Sequence, residues 1–470
     1  MKLTDNKYLK FLNHPYFKFG LAATIYILWV IWLRNYWFFL GIPILYDIYV
    51  SGKVNWSFWK KRGQKNSVWI EWLDALIFAV IAVTIINYFL FQNYKIPTPS
   101  MEKSLLIGDH LYVSKVAYGP RMPNTPLSFP FTQNTMPIIK TKSYLEWIRR
   151  PYKRLMGFGD VKRNDVVVFN FPAGDTVVLV MSERSYYSVV RDYAMQLKET
   201  DQQLNRYIKP WDEYLKDGRK IVWDEYDIVV RPVDKRDNYI KRCVAIPGDT
   251  LFIKGGQIYI NGVPDANFPG NQHRYFVRTN GTPINPKAFE RLGIAEADRE
   301  KIGNDYMLPL TDEKAEALKQ FTNVTSVTKY VSPEGEYNFQ IFPHDTLYPW
   351  TLDYFGPLWM PVAGSTIPLS LENLPLYTSI IQQYENNKLE VRDSIIYINN
   401  EPATTYTFTM DYYFMIGDNR HSSSDCRYWG FVPEDHILGK PKFIWLSIDK
   451  DKRFLGKIRW NRMFMSTDKI

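Results

Sequence analysis

The chain has 470 residues, 46% of them hydrophobic and 23% charged, a composition that excludes a disordered polypeptide and suffices for one large or two ordinary domains. Its 58 basic and 49 acidic residues leave a net charge of +9, but the excess is scattered among acids rather than gathered into a stripe, so nucleic acid is not expected as a partner. Only Cys243 and Cys426 are present, too few for a disulfide framework or a zinc site; two free buried thiols are expected, with a single bridge as the alternative.

Aromatic residues reach 16%, and many lie in or beside apolar N-terminal stretches, where amphipathic rings mark a lipid boundary. Residues 75 to 91 read ALIFAVIAVTIINYFLF without a charge, and with Trp72 and Leu73 the run approaches the ~20 residues that cross a bilayer. A transmembrane helix is expected there. Earlier, FGLAATIYILWVIWL (19 to 33) and YWFFLGIPILY (36 to 46) are separated by Arg34 and Asn35, which allows either one tilted span or a short re-entrant pair. Between the apolar regions Lys53, Lys60, Lys61, Arg62 and Lys65 mark a loop, about 51 to 70, held on the cytoplasmic side. Residues 1 to 92 are therefore expected to form a multi-pass anchor, and 93 to 470 a domain outside the cytoplasm.

Beyond residue 92 the pattern changes to short runs rich in β-branched and aromatic residues, bounded by Gly, Pro and Asp: HLYVSKV (110 to 116), DVVVFNF (165 to 171), DIVVRPV (227 to 233), YIKRCVAI (239 to 246) and TLFIKGGQIYING (250 to 262). This predicts a mostly β fold, an antiparallel sheet domain preceded by transmembrane helices. Gly255-Gly256 marks a hairpin turn. Residues 184 to 218 read as polar helix, and 265 to 390 mix helical runs with loops rich in Pro and Asn, so insertions are expected at about 174 to 225 and 265 to 390. GQIYINGVP (256 to 264) is echoed by SIIYINNEP (394 to 402), which suggests re-entry into the sheet through a second hairpin.

Three runs carry candidate chemistry. Directly after the apolar helix, YKIPTPSMEKSLLIGD places Ser100 in a proline-rich turn close to the bilayer. In NYIKRCVAIPGDT (238 to 250), strand alternation puts Lys241 on one face with Tyr239 and Cys243, opposite Ile240 and Arg242. On an inward face the lysine would be desolvated and its pKa lowered, as a general base near neutral pH requires; on an edge strand it would be an ordinary solvated lysine. The third run, MIGDNRHSSSDCRYWGFVPEDHILGK (415 to 440), holds more polar residues than a turn needs. Asp425 and Arg427 could pair there, and one of Ser422, Ser423 or Ser424 could hydrogen-bond a catalytic amine. His421 is expected at the surface.

Together these runs closely resemble the bacterial type I signal peptidase (leader peptidase) family, which uses a serine-lysine dyad. The order is the family's: membrane anchor, Ser-Met motif, an RGD-like strand, YIKR...PGD, and GDNR..S.D.RYWG, with the tail IRWNRMF. The resemblance implies a serine endopeptidase that removes signal peptides from exported precursors at the outer face of the cytoplasmic membrane. It implies Ser100 as nucleophile, Lys241 as base, Ser423 as the hydroxyl on the lysine, and Asp425 with Arg427 as a supporting ion pair in the motif opened by Gly417, Asp418 and Asn419. Thr98 matches the oxyanion donor that acts with the Ser100 N–H. Ile96, Leu105 and Ile240 match the shallow pockets for small side chains. Precursors and membrane lipid are the implied partners, and no metal or organic cofactor is implied. Met-Glu-Lys-Ser (101 to 104) replaces the family's Met-x-Pro-Thr, and Arg-Asn-Asp (163 to 165) its Arg-Gly-Asp. A self-cleaving repressor of the related serine-lysine group would carry a soluble DNA-binding N-terminus instead of apolar helices. A catalytically silent membrane scaffold would have no need of Ser100, Lys241 and Ser423.

Overall fold

The computed structural model describes residues 11–56, 59, 66–266, 268–294, 296–450, 452 and 454–469. Lys60, Lys61, Arg62 and Lys65 of the basic loop lie outside them. Two helices are long and apolar enough to cross a membrane: α1 (Pro15–Leu33), with mean hydropathy 1.6, and α2 (Val68–Phe89), with 2.1. At 1.5 Å per residue, the 22 residues of α2 span about 33 Å, the thickness of a hydrocarbon core. None of its side chains is buried by protein, as suits a lipid-facing helix.

After α1, Arg34 adopts a left-handed conformation and the chain turns back as a short, irregular apolar helix over 36–51. The Tyr26 hydroxyl donates to the Phe38 carbonyl and Phe19 meets Tyr46 edge-on, so this region is a returning pair rather than one tilted span. Trp29, late in α1, packs against Phe89 at the end of α2, and Trp32 stacks on Phe158 of the β domain. Both long helices thus deliver their C-terminal ends to the side where the β domain sits.

The β domain is built on one antiparallel sheet of eight strands. Its main strands are β1 (Phe91–Lys95), β2 (Asp109–Ser114), β3 (Val166–Asn170), β4 (Asn238–Ala245), β5 (Tyr412–Ile416), β6 (Val432–Pro433) and β7 (Ile437–Ser447), in the order β1-β2-β7-β3-β4-β5-β6, with Met465–Ser466 added beside β7. The mostly β, antiparallel expectation is met. β7 pairs with both β2 and β3 and slips register against each, and such irregularities bend a sheet. The bend brings Tyr94 and Ile96 from the β1 side into one apolar cluster with Ile240 of β4, although β1 and β4 are not neighbours. A cleft therefore opens between an edge strand and the strand that carries Lys241.

Against the other side packs a large core that includes Phe169, Cys243, Phe414, Cys426 and Phe431. Both cysteines are buried and free, so no bridge links them. The hairpin over Thr250–Lys254 and Gln257–Ile260 turns at Gly255 (φ 58°) and Gly256 (φ 78°), the paired positive φ values of a type I′ turn. Its outer edge is completed by Phe355–Trp359, a strand from within the 265–390 region. The echo at 394–402 does fold alike, with Asn399-Asn400 in positive φ where the first copy has Asn261-Gly262. It does not re-enter the sheet: it pairs with Leu389–Arg392 in a separate three-stranded sheet, the edge beside Thr250–Lys254 being already occupied.

Helices α3 (Tyr186–Gln203) and α4 (Trp211–Glu225) form a hairpin, closer than side chains normally allow because Gly218 lies against the Val190 carbonyl. The run 227 to 233 supplies only Ile228–Val230, which pairs with Thr176–Val178 at the base of this insertion instead of joining the main sheet. Residues 273–329 make a further four-stranded sheet with the helices Pro286–Arg291 and Asp312–Lys319, around a core of its own that includes Val277, Leu308 and Leu318.

Candidate active site

Ser100 lies in a single 3-10 turn, Pro99–Met101, that follows β1 by four residues. The turn is anchored from across the cleft: the Asn419 N–H donates to the Ser100 carbonyl at 3.1 Å, and Asn419 Nδ2 to the Pro99 carbonyl at 3.3 Å. Gly417 makes this approach possible, since a Cβ there would sit 2.2 Å from Ser423 Oγ and 2.5 Å from the Ser100 carbonyl oxygen. Any side chain would push the Ser100 turn away.

Lys241 lies opposite Val167 in the β3–β4 ladder, on the face shared with Tyr239 and Cys243. Its Nζ is 2.5 Å from Ser100 Oγ and 5.5 Å from the centre of the Tyr239 ring. The inward reading of this strand is thus correct, with the lysine 4% exposed. Burial pushes its ammonium down to about 8, against the opposing pull of Asp425 and Asp418. Desolvation wins because both carboxylates are already committed to arginines.

Those commitments form two buried ion pairs. Arg427 Nε and Nη2 meet Asp425 at 2.9 and 2.8 Å, and Arg242 Nε and Nη2 meet Asp418 at 2.9 and 2.7 Å, with the Phe268 ring 4.0 Å below the Arg242 guanidinium. Burial alone would raise the Asp425 carboxyl, but Arg427 and the Gly417 N–H together hold it below its ordinary value. Ser423 Oγ is buried and forms no hydrogen bond of normal geometry, to Lys241 or to any other described residue. Thr98 is exposed at the mouth of the turn, its hydroxyl not engaged in capping it. Ile96, Leu105 and Ile240 converge with Tyr94 and Met101 in the apolar cluster beside Ser100.

The two departures from the family motif have local consequences. Asn164, at the glycine position of Arg-Gly-Asp, keeps a positive φ of 71°, which asparagine tolerates better than other side chains. Lys103, where the motif has proline, sits at φ 72°, a conformation closed to proline. Its Nζ donates to the Gly293 carbonyl at 2.8 Å, tying the segment after Ser100 to the inserted domain.

His421 is not at the surface. Its side chain is 3% exposed, Nε2 donates to Asp353 at 3.0 Å, and Nδ1 accepts the Arg274 N–H. The physical reason is the 273–329 domain: Gln272, just before it, bridges Asn419, so the domain covers the loop that carries His421. His273, Asp353 and His421 also bring metal-type ligand atoms within 4.8 Å of one another. The hydrogen bonds do not suit a cation: with Nδ1 accepting, neutral His421 carries its proton on Nε2, the atom a metal would need. Lys329 and Arg420 add positive charge, and burial foremost pushes His273 down to about 2. Neither Asp353 nor the Arg242–Asp418 pair is visible as a local motif, because the partners are separated by 68 and 176 residues.

Two kinds of comparison bear on this site. The sequence model of the family described as "Signal peptidase, peptidase S26" matches residues 69–337 and 382–446. Among individual proteins, the chain is similar to Signal peptidase I of Buchnera aphidicola subsp. Acyrthosiphon pisum, 21% identical over 434 residues that cover 91% of this chain and 93% of that one. It is likewise similar to Signal peptidase I of Helicobacter pylori strain J99, 21% identical over 402 residues covering 83% and 90%.

Replacing His421 by Ala leaves the Asp353 carboxylate buried with one strong hydrogen bond fewer. The expected loss is about 2 kcal/mol of stability, read by denaturant unfolding, and wild-type stability in the variant would contradict the buried pair.

Proposed function

The chain belongs to the signal peptidase family of peptidase S26 type, and from that premise we propose that it is a membrane-anchored serine endopeptidase that cuts signal peptides from exported precursors with Ser100 as nucleophile and Lys241 as base. The observation that carries this reading is the 2.5 Å contact between a desolvated lysine and a serine in an anchored turn. As an ammonium, Lys241 donates to Ser100 Oγ; once neutral, the same line carries the serine proton to Nζ. Ser100 then attacks the scissile carbonyl and an acyl-enzyme forms. Thr98 Oγ and the Ser100 N–H, at the start of a turn whose first N–H groups have no intrahelical acceptor, stabilise the oxyanion. The Lys241 ammonium gives its proton to the departing amine, the N-terminus of the mature protein, and the neutral lysine afterwards activates the water that hydrolyses the ester and releases the signal peptide. Asp425 with Arg427 and Asp418 with Arg242 act as positioning pairs that keep the loop under the dyad without recharging the lysine. Ser423 is assigned the lysine-orienting hydroxyl, a role that a rotation of its buried, unpartnered side chain would fill.

The base form of Lys241 is the active one, so kcat/KM should rise with pH through about 8 and fall roughly tenfold per unit below it. Lys241→Arg keeps the charge but supplies no free base, and its loss should match that of Ser100→Ala. Retained cleavage by Lys241→Arg, measured on a purified precursor, would remove the dyad from the mechanism.

Ile96, Leu105 and Ile240 line a shallow apolar floor beside Ser100, which suits small side chains at the first and third residues before the cut. Precursors with alanine at both positions should be cleaved, and leucine at both should lower kcat/KM by at least 100-fold. Equal rates for the two precursors would contradict the assigned pockets.

We assign the β domain to the outer face. The C-terminal ends of both long helices reach it, at the opposite end of α2 from the sequence that carries Lys53 and the other basic residues before it, and basic loops stay in the cytoplasm. Protease added to spheroplasts should digest the domain beyond residue 92 and spare the loop at 51–70; protection of the large domain would reverse the orientation.

A further inference from the structure

A cavity of about 560 Å3 lies where the end of α2 meets the β domain, away from Ser100 and Lys241. One wall is the last turns of α2, from Val83 to Tyr88, and another is the start of β1. The Tyr88 hydroxyl meets Ser128 Oγ at 3.2 Å, and the backbone N–H of Lys115 donates to the carbonyl of Leu90, the residue that caps α2. The cavity is therefore at the depth where a spanning helix leaves the hydrocarbon and lipid headgroups begin.

Its lining contains three buried cations, Lys115, Arg121 and Lys235, and one acid, Asp234. Asp234 is engaged by the Thr125 N–H and hydroxyl, both at 2.9 Å, and stands 4.0 Å from Lys235 Nζ. Arg121 donates to Asn170 Oδ1 and to the Asp435 carbonyl, and Lys235 to Ser128 Oγ. Lys115 is different: only 8% exposed, its ammonium has no hydrogen bond or ion pair among the described residues. A buried cation without a counter-charge is costly unless a ligand supplies one. Burial first, then Arg121 and Lys235, pushes Lys115 down to about 7 in the unfilled cavity. At the rim stand Phe129 and Phe131, the latter 69% exposed, in the same stretch as exposed Ile138, Ile139 and Trp147.

We propose that this cavity is a binding site for an anionic phospholipid, its phosphate held by Lys115, Arg121 and Lys235 and its acyl chains lying along Phe129, Phe131 and the end of α2. A cationic floor beneath an apolar rim matches the two halves of such a lipid and no purely inorganic anion. The end of α2 supports the same sign of charge balance only in part: a cation near a helix C-terminus is favourable, but that dipole carries about half a charge against three cations. A filled site would brace β1, whose far end leads into the Ser100 turn, against the membrane.

The test uses the full-length chain in zwitterionic detergent micelles, titrated with dioctanoyl-phosphatidylglycerol and read by native mass spectrometry. One tightly bound phosphatidylglycerol is expected, weakened at least tenfold by Lys115→Met and restored by Lys115→Arg, with dioctanoyl-phosphatidylcholine at least tenfold weaker than phosphatidylglycerol. Precursor cleavage in lipid-free micelles should be unchanged in Lys115→Met, which separates this site from the proposed dyad. Lys235→Gln is the second variant, expected to weaken the lipid severalfold should Lys115→Met not fold. Equal affinity in wild type and both variants would overturn the proposal, as would phosphatidylcholine bound as tightly, or inorganic phosphate displacing the lipid at equal concentration. A raised KM for precursor in Lys115→Met without loss of phosphatidylglycerol affinity would give the cavity to the substrate's apolar segment instead, and would equally overturn it.

Discussion

Everything at the centre of this protein depends on keeping one ammonium out of water. Lys241 is carried on the inner face of a central strand, and burial there outweighs two nearby carboxylates because Asp425 and Asp418 are each bound bidentately to an arginine. Had either acid faced the lysine alone, Coulomb attraction in a low-dielectric site would have stabilised the charged form. The arginines thus neutralise the loop's negative charge while leaving its backbone free to grip the Ser100 turn through Asn419.

How much of this was legible in the sequence follows from range. The long apolar helix before residue 92, the β alternation, the Gly255-Gly256 hairpin and the Asp425–Arg427 pair rest on local periodicity or on neighbours two residues apart, and the structure has each of them. Strand alternation placed Lys241 on one face with Tyr239 and Cys243 but left open whether that face was buried or at an edge, which the sheet order decides. The burial of His421 leaves no local signal, because it is imposed by Asp353, 68 residues earlier, and by Arg274 of the insertion, and the Asp418–Arg242 pair likewise joins residues 176 apart. The echoed hairpin shows a different limit: similar sequence reproduced the turn, but the vacant edge it would have joined had been filled by Phe355–Trp359.

The inserted domain over 273–329 has its own core, yet it is not an appendage. Gln272 bridges Asn419, the His421–Asp353 pair lies in the same seam, and Lys103 reaches across to Gly293 just after the Ser100 turn. The proline of the family's motif would fix the backbone that Lys103 turns out of. In this chain a side chain bonded to the insertion does the holding instead.

The central claim is that the resting lysine is desolvated enough to titrate near 8. It is tested most directly by isotope-edited NMR of the Lys241 Cε and Nζ, assigned by comparison with Lys241→Met, in the Ser100→Ala variant so that no substrate turnover intervenes. A midpoint near 8 is expected. A midpoint at the ordinary lysine value of about 10.4 would mean that Lys241 remains an ammonium at working pH and cannot be the base.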